Sequence, residues 1–320
     1  MFGDLLESER PVPAGIRLAR RFYLSGGIPT VLYKKIAASL LARSPGIGGD
    51  IRVQTHRGQI IINSDDEIGG HIYLFLAYDR NVLGFLRHLF GTGRPATMLD
   101  VGGNIGNHSL WLASCFEKVF CFEPNPAALE YLNGNVRIHD NIQVVPIGLS
   151  QEAGTARLQA GGNTNLGQAG ITDHPDPEAI EITLDSGDAW LEKNGVEDVD
   201  FIKIDVEGHE WETLNGLRET LRKRSPILLF EYLPQTARKT GNRIEEFLSD
   251  YVLFGLEGLP RSDQFRSLSE GVVLSPFDAQ KAYNNVLGVP RSRRQEIEAA
   301  FPGGTWRNTR FFRVPPKGVL

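Results

Sequence analysis

The 320-residue chain is long enough for one large α/β domain with additions, or for two small domains. Its 41% hydrophobic and 23% charged residues are ordinary for a globular protein, and its net charge of −5 argues against a general nucleic-acid binder. Two cysteines, Cys115 and Cys121, supply neither a disulfide framework nor a zinc cluster. No run approaches the ~18 apolar residues of a membrane span. The acidic start MFGDLLESERPVPAG lacks the basic and apolar regions of a signal peptide, so cytoplasmic residence is expected.

Residues 1–48 read as a mildly basic helical extension, with Pro29 near a helix start and Val31, Leu32, Ile36, Leu40 and Leu41 at roughly helical spacing. Such a segment docks on its own domain or makes peripheral contact with a membrane. Residues 49–95 lead into the core. DIRVQTHRGQIIIN alternates and turns at Arg57-Gly58, which predicts a β-hairpin, and a helix is expected from Tyr78 to Phe90.

From residue 96 to 300 strands alternate with helices. Met98–Val101, Val119–Glu123, Ile142–Ile147, Ile180–Leu184, Phe201–Asp205 and Ile227–Glu231 are short apolar strands. Helices are expected from His108 to Phe116, from Pro126 to Val136, after Asp185-Ser186, and along EGHEWETLNGLRETLRKR. The alternation predicts an α/β fold with parallel pairing and helices on both faces. Tyr251–Leu256 and Asn284–Pro290 have no long helix between them and suit an antiparallel closing pair. The loop 161–170 offers Asn163, Thr164 and Asn165 as a lid over substrate. The tail 301–320, with Arg307, Arg310, Arg313 and Lys317 and no acid, reads as a basic, solvated terminal segment.

In an open parallel sheet, ligands bind at the carboxyl ends of the strands. The first strand ends in Asp100-Val-Gly102-Gly103-Asn104-Ile-Gly106, where glycines allow a tight turn and close approach to a ligand. The dinucleotide spacing is not met, and a carboxylate directly ahead of the turn suits a ligand with an ammonium group rather than a pyrophosphate. Glu123 ends the second strand, where a carboxylate accepts hydrogen bonds from ribose hydroxyls. Asp205, Glu207, His209 and Glu210 cluster where a later strand gives way to a helix, and Glu231 ends the next strand. Glu210 and Glu212 suit a helix start, whereas a carboxylate at a buried strand tip, such as Asp205, needs a partner.

The series DVGGNIGNHSL, FCFEPNP, VVPIGLS, ITLDS, IKIDVEGHE and ILLFEY resembles the FkbM family of methyltransferases in order and spacing, from about Asp66 to Tyr232, with an echo in YNNVLGVP. The resemblance implies a class I, Rossmann-like methyltransferase sheet of seven mostly parallel strands with an antiparallel last strand. It implies S-adenosyl-L-methionine as cofactor, with Asp100, Gly102, Gly103 and Asn104 at the methionine part. Glu123 would hold the ribose with Pro124 beside it, Gly148, Leu149 and Ser150 would lie near the adenine, and Asp205 near the transferring methyl. The family's usual alanine is Gly103 here, a difference expected to leave binding intact.

The activity implied is O-methylation of a hydroxyl on a small molecule or carbohydrate. Such a hydroxyl must lose its proton, and His209, Glu207 and Glu231 are the candidate bases. Asp205 and Glu231 offer two oxygens to a divalent cation. No Asp-Asn or Asp-Asp pair follows the fifth strand, so transfer without a metal is expected. The competing readings are a nicotinamide-dependent oxidoreductase on a similar sheet, a catalytically inactive nucleoside-binding module, and a nucleic-acid methyltransferase. The last is disfavoured by the charge and by the lack of an Asn-Pro-Pro-aromatic motif.

Overall fold

In the computed structural model the described residues are 49–55, 57–91, 95–159, 166–172, 176–235, 241, 243–258 and 271–300, the backbone of 310–313, and helical positions 15, 16, 18, 19, 32 and 36. Of the N-terminal extension, therefore, only those six positions can be placed. Asn163, Thr164 and Asn165 of the expected lid, and Arg307 and Lys317 of the tail, lie outside the described residues.

The expected hairpin forms from β1 (Asp50–Thr55) and β2 (Gly58–Asn63), paired antiparallel. Ile51, Val53, Ile60 and Ile62 alternate onto its buried face, where they pack with Ile16, Ile72 and Leu132. Helix α1 (Glu67–Phe75) was not expected, because Gly69 and Gly70 interrupt its pattern. Asp66 caps it, accepting from Gly69 N at 3.0 Å through Oδ1, while its Oδ2 accepts from Leu166 N at 2.8 Å. Helix α2 (Arg80–Phe90) fills the later part of the helix expected there.

The core then alternates as expected: β3 (Thr97–Val101), α3 (Asn107–Leu112), β4 (Lys118–Phe122), α4 (Pro126–Val136) and β5 (Ile142–Val145). Helix α4 starts on Pro126, with Asn125 accepting from Ala127 N at 3.1 Å. After β6 (Gly148–Ser150), β7 (Gly154–Gln159), β8 (Gly170–Ile171) and β9 (Ile180–Ser186) come α5 (Gly187–Lys193) and β10 (Phe201–Ile204). The stretch read as one helix divides into α6 (Glu210–Gly216) and α7 (Arg218–Arg224). β11 (Ile227–Tyr232), α8 (Ile244–Phe247), β12 (Tyr251–Gly258), β13 (Gly271–Pro276), β14 (Tyr283–Pro290), α9 (Arg294–Ala300) and β15 (Arg310–Arg313) complete the chain.

Among the described residues nine strands make one sheet, in the order β15-β13-β12-β14-β11-β10-β3-β4-β5. The five from β11 to β5 are parallel, and β12, β13, β14 and β15 are joined by antiparallel pairs. This is the Rossmann-like α/β class expected: from β5 to β12 seven strands form the sheet, six run in one direction, and β14, the last of them in the chain, runs against its neighbours β11 and β12. Two further strands, β13 and β15, extend it beyond β12, and the backbone of the tail segment 310–313 pairs with β13. An unpaired β13 would leave an open row of backbone donors and acceptors, which β15 covers.

Apolar layers cover both faces of the sheet. Phe90, Phe116 and Phe201 stack on one face with centroids 4.9 to 6.0 Å apart. On the other, Trp190 sits edge-on to Phe120 and Phe122 at 5.0 and 4.8 Å. The chain runs outward from β3 through β4 to β5, then returns to the other side of β3 as β10. The β3–β10 junction is therefore the topological switch point, where such sheets open a ligand crevice.

Candidate active site

A cleft of about 350 Å³ opens at that junction. Of the residues singled out from sequence, Gly102, Gly103, Asn104, Glu123, Pro124, Gly148, Leu149, Asp205, Glu207, His209 and Glu231 line it. Asp100 does not: it stands behind the wall with a fully buried side chain.

The turn after β3 is folded by its neighbours. Gly102 N and Gly103 N both donate to Phe122 O at 3.0 Å, which bends the chain across the end of β4. Gly102 has φ +77°, and a Cβ there would lie 1.8 Å from the carbonyl oxygen of Asp205. A Cβ on Gly103 would meet Cys121 Sγ at 2.1 Å. Glycine at 103 thus leaves room for a buried cysteine on β4.

Behind the turn lies a buried charge group. Lys203 Nζ donates to Gly102 O at 2.8 Å and lies 3.4 Å from Asp100 Oδ1 and 3.3 Å from Asp205 Oδ2. Asp100 Oδ2 also accepts from Ser109 Oγ at 2.6 Å. Burial disfavours the Lys203 ammonium, but Asp205 and Asp100 outweigh it and hold its pKa above the ordinary value. The ammonium that Asp100 was read as awaiting is supplied within the chain by Lys203. The same lysine also pairs with Asp205, but that side chain is 45% exposed, so the expectation of a buried strand tip that needs a partner is corrected. Nothing marked Lys203 in advance except its place inside the apolar strand FIKI, where an unpaired cation would not be tolerated.

Glu123 is clamped by the backbone. Its Oε2 accepts from Asn104 N and its Oε1 from Asn125 N, both at 2.8 Å. Each oxygen keeps a lone pair for a hydroxyl donor. Burial raises its pKa to about 7, against the pull of those two N–H groups. Asn104 has φ +50°, and its buried Oδ1 has no hydrogen-bond partner. Apolar walls near Gly148 come from Leu158, Ile171, Ile182 and Leu184. These belong to a second sheet, ordered β6-β9-β7-β8, of which the sequence disclosed only the β9 strand. The unpartnered amide, the clamped carboxylate and the glycine cradle fit a nucleoside with a polar tail.

At the other end, carboxylate oxygens of Asp205, Glu207 and Glu231 lie within 4.8 Å of one another. Burial, reinforced by Asp205 and Glu210, raises Glu207 and Glu231 to about 7. His209 lines the cleft, but its Nε2 is 3.0 Å from Ser150 Oγ and its Nδ1 is 3.6 Å from Glu212. Glu210 serves its helix start, accepting from Val206 N at 3.2 Å and Gly208 N at 3.1 Å. Tyr78, Asp79, His108, Asn284 and Asn285 also line this end and were not found from sequence. They arrive from distant segments, and Asn285 Nδ2 donates to Asp79 Oδ2 at 3.3 Å across 206 residues.

The raised Glu231 carboxyl carries a stability consequence. An unfolded carboxyl titrates near 4.5 and the folded one near 7, so the fold retains a proton that the unfolded chain has released between those values. Stability is lost as pH rises through that window. Glu231→Gln should therefore raise Tm by about 2–4 °C at about pH 8 and change it little at about pH 4.5. A Tm gain that is equal at both pH values would show that Glu231 is not held protonated.

The described residues thus place a glycine turn, a backbone-clamped carboxylate and an acid cluster along one crevice at the switch point of a parallel sheet, where ligands bind in α/β domains. Residues 100–252 match the family model described as the Methyltransferase FkbM domain. Over 136 residues it is 33% identical to the hexuronic acid methyltransferase AglP of Haloferax volcanii, an alignment covering 41% of this chain and 53% of that protein. Over 143 residues it is 28% identical to Methyltransferase 1 of Beauveria bassiana, covering 38% and 57%. The chain thus spans just over half the length of these relatives. The crystal structure of Methyltransferase FkbM from Methylobacillus flagellatus is 18% identical, covering 68% of this chain and 52% of that one, with a TM-score of 0.40.

Proposed function

We propose that the protein is an S-adenosyl-L-methionine-dependent methyltransferase acting on a hydroxyl of a carbohydrate or other small molecule. The observation that carries this is the Glu123 clamp beside the Gly102–Asn104 turn. Both Glu123, with a lone pair left on each oxygen, and Asn104, whose buried Oδ1 has no partner, line one cleft. Gly102, Gly103 and Asn104 would hold the methionine part and Glu123 the ribose. Pro124, Gly148 and Leu149 would lie against the adenine, with Asp205 near the reacting centre.

The cofactor, when bound, supplies a methyl group on an activated sulfonium. The chain's own task is to position the acceptor, exclude water and take one proton. Glu207 and Glu231 suit that task, because a base titrating near 7 is half available at neutral pH. His209 is already engaged by Ser150 and Glu212 and would instead steady the cleft wall. The acceptor end is bounded by Asp79, Glu231, Asn284 and Asn285, groups that hydrogen-bond hydroxyls. Its carboxylates favour a neutral acceptor over a uronate, although the hexuronic acid methyltransferase is a relative. No observation favours a nicotinamide cofactor.

The test is transfer from methyl-labelled S-adenosyl-L-methionine into a panel of neutral sugars, uronates and lipid-linked glycans, read by mass spectrometry. Label on a hydroxyl oxygen is expected, with loss of at least about 100-fold in Glu231→Gln if it is the base. Label on nitrogen, or no label on any panel member in the presence of bound cofactor, would contradict the reading.

A further inference from the structure

The charge balance of the cleft has a consequence for the two forms of the cofactor. Glu67, Asp79, Glu123, Asp205, Glu207 and Glu231 line it, against one lysine or arginine among the described residues, Lys203. That lysine is already engaged by Asp100, Asp205 and the Gly102 carbonyl. Three of the carboxylates converge within 4.8 Å at the acceptor end. A separate feature points the same way. His108, 7% exposed, lines the same cleft with an Nε2 that has no hydrogen-bond partner. Burial and the Lys203 charge lower its pKa, so it adds no positive charge there.

We infer that Asp205, Glu207 and Glu231 discriminate the cofactor by charge, holding the sulfonium donor more tightly than its demethylated product. The inference rests on the cofactor reading above. On transfer the C–S bond breaks, its electron pair stays on sulfur, the methyl carbon bonds to the acceptor oxygen, and the hydroxyl proton leaves. Sulfur thus goes from positive to neutral. A wall of carboxylates gains Coulomb energy with the first form and none with the second; Asp205 and Glu207 are exposed, so water and salt screen part of that gain. The preference would speed product release and limit product inhibition.

Calorimetric titration in EDTA, with S-adenosyl-L-methionine, S-adenosylhomocysteine and sinefungin, which carries an amine in place of the methyl-sulfonium, tests this without any acceptor. The donor and sinefungin are expected to bind at least about tenfold more tightly than S-adenosylhomocysteine at about 50 mM salt, with the gap narrowing at about 500 mM. The double substitution Glu207→Gln with Glu231→Gln should narrow the gap at least about threefold, chiefly by weakening the two cations. Thermal unfolding verifies that the variant is folded, and each single Gln variant provides a second route if the double fails to fold. Equal affinity for all three ligands would overturn the inference while leaving the cofactor site standing. So would a gap that persists undiminished in the Gln variants, or one that appears only when magnesium is added. Failure of all three ligands to bind would instead remove the cofactor reading itself.

Discussion

Lys203→Met is expected to cost about 3–5 kcal/mol of folding stability, because it leaves the fully buried Asp100 without its cation. Ser109 Oγ would remain as a hydrogen-bond donor, but one neutral bond does not replace an ammonium at the end of a buried strand. The same change removes the donor to Gly102 O and frees Asp205, so the turn and the cleft floor should loosen together. Pairing it with Asp100→Asn should recover more than half of the loss, since the uncompensated charge is then gone. Urea unfolding of the wild type, both single variants and the double variant gives the cycle. A single variant within about 1 kcal/mol of wild type, or strictly additive losses, would show that the buried pair does not hold the site.

The second large effect concerns two adjacent glycines that fail for different reasons. In Gly102→Ala the new Cβ meets the backbone carbonyl of Asp205 at 1.8 Å, in a left-handed conformation that alanine also resists. No side-chain change can relieve a backbone contact, so a loss of about 3 kcal/mol or more and of cofactor affinity is expected in any background. In Gly103→Ala the obstacle is Cys121 Sγ at 2.1 Å, whereas Cys121 Cβ is 3.7 Å away. Gly103→Ala should therefore cost about 1–3 kcal/mol alone and much less with Cys121→Ala. Thermal unfolding of the three variants decides it. Equal losses for Gly103→Ala with and without the cysteine would mean that the turn, not β4, dictates glycine there.

Much of the site was legible because its parts sit at the ends of apolar runs. Glu123 and Asp205 follow largely apolar strands of five and four residues, so a carboxylate at each tip stood out. The glycine turn was legible for the same reason. Asp100 was seen but its partner was not, because Lys203 is brought beside it only by the parallel register that pairs it with Asp100 across β10 and β3. The match of Gly103 to Cys121 is likewise a contact across strands rather than a pattern along one. The small sheet that walls the cleft escaped because β6 and β8 are three and two residues long, too short for any periodicity. Asp79, Asn284 and Asn285 sit in connections or at a strand edge, where polar residues are ordinary until the fold assembles them.

The central claim is that the Glu123 clamp and the glycine turn form a S-adenosyl-L-methionine site, and calorimetric titration with S-adenosylhomocysteine tests it most directly. One molecule per chain is expected to bind, with affinity reduced by about 10- to 100-fold in Glu123→Ala as the ribose hydroxyls lose their carboxylate. NADH should not compete. Absence of binding, affinity unaffected by Glu123→Ala, or displacement by NADH would contradict the account.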